Sequence, residues 1–508
     1  EQLRRRALAP LPAGMSRPLA LRQALTGRWG EGGAPDLRQA LVDVDRASLA
    51  AGLQVLAAAL AGLRDALAQA HAAAGLVWEA ETALGRVLID LGTTDDERSL
   101  VAPLLLVDGG GDDRYHFLDD TRRPAIALLL DLAGRDHYAS AAPAAGVPVG
   151  LLGYGLLWDA GRDDDRYDGA DLDQAAAVLG GAVLVDEGGN DHYAARGHAQ
   201  AFAMGGLAVL LDRAGDDRYE ALTFAQASAG PAAVALLVDA AGDDRYRLAA
   251  EPLVAPSAQR PDLNVSAGQG MGIGIRADHL DGRSLAGGLG VLLDGGGDDD
   301  YQATVFAQGA GYWRGGGLLF DRGGQDHYQA IWYGQAAAAH AGLGLLIDRG
   351  RASDRYQASQ STSMAAAHDG ALAMLLDEGG DDDYRLGDLG LGAAHDTGVA
   401  LFADLDGDDR YAVSSEACRA FGAAIAEQPD GPAAVPNLGL FMDLGGTDRY
   451  GCGLARNDQR WTWPGGGDGA GFDGVAPFRL ETGTVPAPAG PAAPPRPWRE
   501  APRGRSWP

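Results

Sequence analysis

Leu210-Leu211-Asp212-Arg213-Ala214-Gly215-Asp216-Asp217-Arg218-Tyr219 decides the fold, because it returns with small changes along most of the chain. Its leading aspartate recurs as Asp108, Asp131, Asp159, Asp186, Asp212, Asp239, Asp294, Asp321, Asp348, Asp377, Asp404 and Asp443. Most steps are 26 to 29 residues, one is 55 and the last is 39. Each copy closes on a tyrosine: 115, 138, 167, 193, 219, 246, 301, 328, 356, 384, 411 and 450. An aspartate precedes each tyrosine by two, and a glycine precedes it by four in ten of the twelve copies. Asp163 and Ala352 are the exceptions, and a degenerate further copy lies at Leu88-Ile89-Asp90.

A second column runs between the turns. Gln200, Gln226, Gln269, Gln308 and Gln335 each sit in an Ala/Gly-rich stretch. Each period therefore reads as a strand, an Asp-Gly turn, a short strand at Tyr, a corner of small residues at Gln, and an apolar strand again. Helices need longer periodic runs. About 27 residues are too few for a propeller blade of ~40–45, and the leucine-rich-repeat spacing is absent. The expected fold is all-β, a parallel β-helix or β-solenoid of twelve to fourteen coils, roughly 60 Å long at about 4.8 Å per coil.

The rest of the chain divides around that array. Residues 1–85 read as an N-terminal helical cap region, since 36–72 carry apolar residues at helical spacing and an open solenoid end needs covering. The repeats occupy 86–450, with insertions at 247–264 and 275–284 inside the long step. Residues 451–479 read as a C-terminal cap, and 480–508, rich in Pro, Ala and Arg, as a disordered tail.

Composition narrows the function. Of 508 residues 76 are glycine and only 7% aromatic, which suits closely stacked backbone. The net charge of −29 argues against a nucleic-acid partner and favours cations or basic surfaces. All basic residues are arginine, so Schiff-base chemistry and a phosphate-loop lysine are excluded. Apolar runs are too interrupted to predict a membrane span. Cys418 and Cys452 are compatible with one bridge or two free thiols.

The turn resembles the calcium-binding nonapeptide of the repeats-in-toxin family, whose β-roll motif is G-G-x-G-x-D-x-U-x. Leu210 and Tyr219 match successive apolar positions, Gly215 the third glycine and Asp217 the aspartate; Asp212 and Arg213 replace the first two glycines. The resemblance spans about ten residues per coil and implies calcium along one edge, with the column of Asp113, Asp136 and Asp217 as ligands. The candidate metal ligands are Asp108, Asp113, Asp131, Asp136, Asp186, Asp191, Asp212, Asp217, Asp239, Asp244, Asp294, Asp299, Asp321, Asp326, Asp377, Asp382, Asp404, Asp409, Asp443 and Asp448. Calcium takes six to eight oxygens, and stacked turns set carboxylates about 5 Å apart. A structural reading competes, because Asp favours turns by bonding backbone N–H groups. The residue between Asp and Tyr is Arg in seven coils and His in three, so an arginine row could neutralise the aspartates without metal. The tyrosines are expected as core or edge stacks and the glutamines as a buried amide ladder.

One constellation stands outside the repeat. His340, His368 and His395 lie 8, 9 and 9 residues before their leading aspartates, followed in two cases by Asp369 and Asp396, and are expected to stack in successive coils. They could bind a transition metal or act as acid and base. The insertion adds Asp278, His279, Asp281 and Arg283. The likeness to parallel β-helices implies, as an alternative, a polysaccharide lyase or hydrolase using these groups. The leading expectation is a non-catalytic, calcium-stabilised scaffold that binds a protein or polysaccharide at the cell surface or outside the cell; a metal-free rod is the third reading.

Overall fold

The computed structural model describes residues 35–70, 75–119, 123–140, 142–278, 284–426, 437–464 and 467–474. The chain separates into residues 1–475 and 476–508, and all described residues belong to the first unit. The expected tail at 480–508, and His279, Asp281 and Arg283, lie outside the described residues.

The first unit is a parallel β-solenoid of about 13 turns with a period of about 27 residues. Its longest sheet stacks one strand per coil from Gly85–Asp90 to Asp468–Asp473. Leu207–Leu211 is typical: Ala208 and Leu210 are fully buried, while Leu207 and Leu211 are partly exposed. That period-2 pattern is what a strand with one core face requires. A second sheet carries the tyrosines, as in Arg218–Ala221, and a third holds short strands after the glutamine corner, as in Phe202–Met204. Strands of consecutive coils pair in parallel and in register, Tyr219 against Tyr193 and Tyr246.

The strand Asp468–Asp473 extends the array beyond the last recognised repeat, pairing Asp473 with Asp443. Asp90 likewise pairs with Asp108, so the degenerate copy is a true coil. Both exposed edges end in an antiparallel strand, Val77–Thr82 on Gly85–Asp90 and Arg460–Thr462 on Asp468–Asp473. Reversing direction at an edge removes the template for parallel growth.

Two helices precede the coils, α1 (Pro35–Asp43) and α2 (Arg46–Ala70). Asp45 caps α2, accepting from the Ser48 N–H at 3.1 Å and the Ser48 hydroxyl at 2.6 Å. Leu53 and Leu60 of α2 pack with Val107, Leu130, Leu156 and Val183 on the outer face of the longest sheet. The helix thus rests against the side of the coils. Residues 46–69 are also long and apolar enough, by length and composition, to cross a bilayer, although no uninterrupted apolar run announces it. Cys418 and Cys452 form a disulfide across 34 residues. In the first insertion, Asn264 gathers the loop: its amide donates to the Ala249, Ala250 and Pro252 carbonyls and accepts from the Val254 and Ala255 N–H groups.

Candidate metal centre

The Asp-Gly turn brings two carboxylates per coil into the interior. The leading aspartate ends the core strand and turns its side chain inward. Asp186 shows the pattern: Oδ1 accepts from the Gly188 N–H at 2.9 Å, closing the turn, and Oδ2 accepts from the Tyr167 hydroxyl of the preceding coil at 2.6 Å. Asp212, Asp239 and Asp294 take Tyr193, Tyr219 and Tyr246 in the same way, at 2.6, 2.8 and 2.7 Å. The tyrosines themselves stack inside the core; Tyr193 and Tyr219 have ring centroids 4.8 Å apart and planes within 3°. Tyr193 and Tyr219 have no exposed surface.

The second aspartate ties one coil to the next. Asp217 Oδ1 accepts from the Asp191 N–H at 2.6 Å, and the Asp217 N–H donates to Asp244 Oδ1 at 2.7 Å. The chain of such bonds runs from the Asp96 N–H through Asp113 and every later coil to Asp448. There the partner is neutral: the Asp448 N–H donates to Asn457 Oδ1 at 2.6 Å. A parallel, exposed ladder uses the neighbouring turn residue, with the Asp243 N–H on Asp216 and the Asp298 N–H on Asp243. Sequence reasoning missed this second ladder, although its residues recur directly before the buried aspartates.

In nine of the twelve coils the remaining oxygen of the second aspartate has no such partner; in the coils of Asp113, Asp382 and Asp409 it accepts a long bond from a tyrosine hydroxyl. Oδ2 of Asp136, Asp165, Asp191, Asp217, Asp244, Asp299, Asp326, Asp354 and Asp448 is buried and accepts no hydrogen bond. These oxygens sit among other carboxylates: oxygens of Asp191, Asp212 and Asp217 lie within 4.8 Å of one another, and so do those of Asp217, Asp239 and Asp244. Burial first, and then the charges of the leading aspartates, push Asp191 up to about 10, Asp217 to about 12 and Asp244 to about 10. A buried, unpaired carboxylate is among the most costly groups a protein can hold, so these columns need a cation or a proton.

The arginines do not supply it. Arg114, Arg166, Arg218, Arg245, Arg355, Arg410 and Arg449 are all exposed on the opposite side of their strand. Arg166 binds Asp168 at 2.7 Å and Arg410 binds Asp383 at 3.5 Å, both outside the ladder. Strand alternation explains this: a residue next to an inward tyrosine must point outward. Asp159, Asp165, Asp348 and Asp354, left out of the sequence-based ligand set for want of the glycine, hold the same places as the rest.

The glutamine column is buried, but it bonds backbone more than itself. Gln200 Nε2 donates to the carbonyls of Tyr193 at 3.0 Å and Glu220 at 3.1 Å, bridging two coils, and Gln174 does the same.

The histidines lie on a different face. His368 and His395 are register partners with ring centroids 4.7 Å apart, but Ala339, one residue before His340, is the partner of His368. The expected column of three is therefore a column of two, with His340 displaced by one residue. His340 Nδ1 is 2.8 Å from Asp369 and its Nε2 is 2.8 Å from Arg276 Nη1. Arginine can only donate, so Nε2 accepts and Nδ1 carries the proton toward Asp369. Arg276 also pairs with Asp278 at 2.9 Å, and Asp396 lies 3.4 Å from His395. Burial and the neighbouring His395 lower His368 to about 4, holding it neutral.

No protein-family model, no curated protein and no solved structure matches this chain.

Proposed function

We propose that the chain is a non-catalytic scaffold whose coils are locked by calcium held in the aspartate columns. One observation carries this reading: each coil buries two carboxylates, nine of the twelve second aspartates leave one oxygen without a donor, and among the described residues only Arg98, at the first coil, brings a cation to the ladder. Two carboxylates per coil balance one divalent ion per coil. The residues fit a hard cation, for the donor set is oxygen only, and a carboxylate oxygen that accepts one hydrogen bond keeps a second lone pair. Asp191, Asp212 and Asp217 would hold one such ion and Asp217, Asp239 and Asp244 the next, with turn carbonyls completing the shell. The ion would supply positive charge between stacked turns. Calcium at that strength of use and a disulfide both suit the cell surface or the medium outside it. The regular rod, with its long repeating faces, suits display toward a protein or polysaccharide partner.

A second reading is favoured by the carboxyl pairing itself. Asp191 acts on Asp186 as a hydrogen-bonding neighbour, and the second aspartates are all pushed upward. One proton per pair would then do part of the work of the cation, giving a metal-free rod. Metal content after exhaustive dialysis, measured together with thermal unfolding with and without chelator, separates the two. Several calcium ions per chain and a large fall in Tm support the first reading; no metal and no shift leave the second.

A further inference from the structure

The last residues of the strands in the third sheet form one column through the stack. In early coils it holds Leu151, Val178 and Met204. Tyr312 and Ala339 stand in it directly before His368 and His395, and Ile425 directly after them. The stack therefore accepts an apolar residue at this position. Two imidazoles in adjoining coils, each followed by an aspartate, break that rule without any gain to the packing. Sites of that kind are where function departs from what the fold requires.

The geometry points to a metal. The rings of His368 and His395 have centroids 4.7 Å apart but are tilted by 40°, whereas Tyr193 and Tyr219 stack within 3°. Two imidazoles bound to one ion at about 2.0–2.1 Å, at roughly 90–110° to each other, have ring centres ~4.5–5.2 Å apart. We propose that His368 and His395, with the carboxylates of Asp369 and Asp396, form a site for one divalent transition-metal ion of the zinc class. Two imidazoles and two carboxylates are a donor set such an ion accepts. His368 Nε2 lies 3.2 Å from the hydroxyl of Thr362, itself buried. That partner fixes the ring as an outer partner fixes a ligating histidine, and it turns Nδ1 to the ion. His340 Nδ1 holds Asp369 at 2.8 Å, and Arg276 donates to His340 Nε2 at 2.8 Å, so His340 serves the carboxylate and not the ion. Asp369 interacts electrostatically with all three imidazoles, and Asp396 with His368. The side chains of His395 and Asp369 are 13% and 46% exposed, which leaves the site open to solvent on one side. Its nitrogen donors set it apart from the all-oxygen aspartate columns. The inference is independent of whether those columns hold calcium.

Zinc titrated into the full chain tests it, in excess calcium so that oxygen-only sites are taken. One equivalent of zinc should bind, read by competition with a chromophoric chelator. The double variant His368→Ala, His395→Ile takes the residue types of Ala339 and Ile425 in the adjoining coils, so the stack should survive it. It should weaken zinc binding by more than about a hundredfold, since even an outer partner of a ligand is worth roughly 10–100-fold. Asp396→Asn, closer to the surface, should weaken it by about tenfold and serves if the double variant does not fold. His192→Gln, on the second sheet, should leave binding unchanged. Cobalt in place of zinc should give visible d–d bands that the double variant lacks; both cysteines are bonded to each other, so no thiolate contributes. Absence of zinc binding, equal binding by the folded double variant or by Asp396→Asn, or cobalt bands of equal strength in parent and double variant would each overturn the proposal.

Discussion

The guanidinium of Arg98 lies 3.4 Å from Oδ2 of Asp108, at the register position that Tyr115 fills in the next coil. It also reaches Asp90 at 2.7 Å and Asp96 at 2.5 Å. The protein thus supplies its own cation at the first coil, and there Asp90 is held below its ordinary value. At the other end Asn457 stands where an aspartate would otherwise receive the Asp448 N–H. Among the described residues, a cation of the chain itself reaches the ladder only at its first coil, and the other end closes on a neutral amide. Replacing Arg98 by Met should therefore cost more than the ~1 kcal/mol of an exposed pair, and less than the ~3–5 kcal/mol of a fully buried one, because Arg98 keeps some exposure. Hydrogen exchange should show the loss concentrated in the coils of Asp90 and Asp108. Uniform loss along the rod would contradict a terminal role.

Asp217→Asn separates cation from proton. Asparagine keeps an oxygen for the Asp191 N–H and the same shape, but it cannot carry the charge. If calcium is held by Asp191, Asp212 and Asp217, the variant should bind at least one ion fewer and melt lower in calcium. If the second aspartate is instead a neutral acid, the amide reproduces it, and stability in chelator should change by less than about 1 kcal/mol. Ion counting and melting on the same sample read both quantities.

The sign of the pH dependence gives a further test. In the metal-free protein Asp217 is raised to about 12 and Asp244 to about 10, against an ordinary carboxylate value near 3.8. A group raised on folding binds more protons folded than unfolded. Its favourable contribution is complete below the unfolded value and is lost as pH rises toward the folded one. Chelator-treated protein should therefore lose stability steadily between pH 5 and pH 9. With calcium present the slope should flatten or reverse, because protons then compete with the ion for the same oxygens. A chelated protein whose Tm rises over this range would refute the assignment of raised values to the ladder.

Much of this architecture is legible in the sequence because every coil repeats one constraint. Gly215 illustrates it: φ is +149°, and a β-carbon there would come within 1.5 Å of the Gly189 carbonyl. Only glycine tolerates that approach, so the residue marks the turn. The tyrosine and aspartate columns follow from equal phase in a parallel stack. What phase does not reveal is which side of the strand each residue takes. The arginines beside the tyrosines share the period of the aspartates, but alternation sends them to solvent. A one-residue slip also separates His340 from His368, since their distances to the leading aspartate differ by one. The terminal strand Asp468–Asp473 escaped recognition because it lacks the turn and tyrosine that would follow it.

Tyr219→Phe isolates the bond on which adjoining coils depend. The hydroxyl of Tyr219 donates to Asp239 Oδ2 at 2.8 Å, while its ring stacks between Tyr193 and Tyr246 at 4.8 and 4.9 Å. Phenylalanine preserves the stack and removes only the donor. A hydrogen bond to a charged group contributes about 1.5–3 kcal/mol, and Asp239 has no exposed route to water that could replace it. The variant should be destabilised by about 2 kcal/mol in equilibrium unfolding. Tyr219→Leu should lose more, because the ring contacts go as well. In a solenoid each coil touches only its neighbours, so the loss of hydrogen-exchange protection should centre on the coils of Asp212 and Asp239 and fade within a few coils on either side. A Tyr219→Phe protein as stable as the parent would mean that the phenol–carboxylate ladder is a consequence of the stacking rather than a source of the rod's stability.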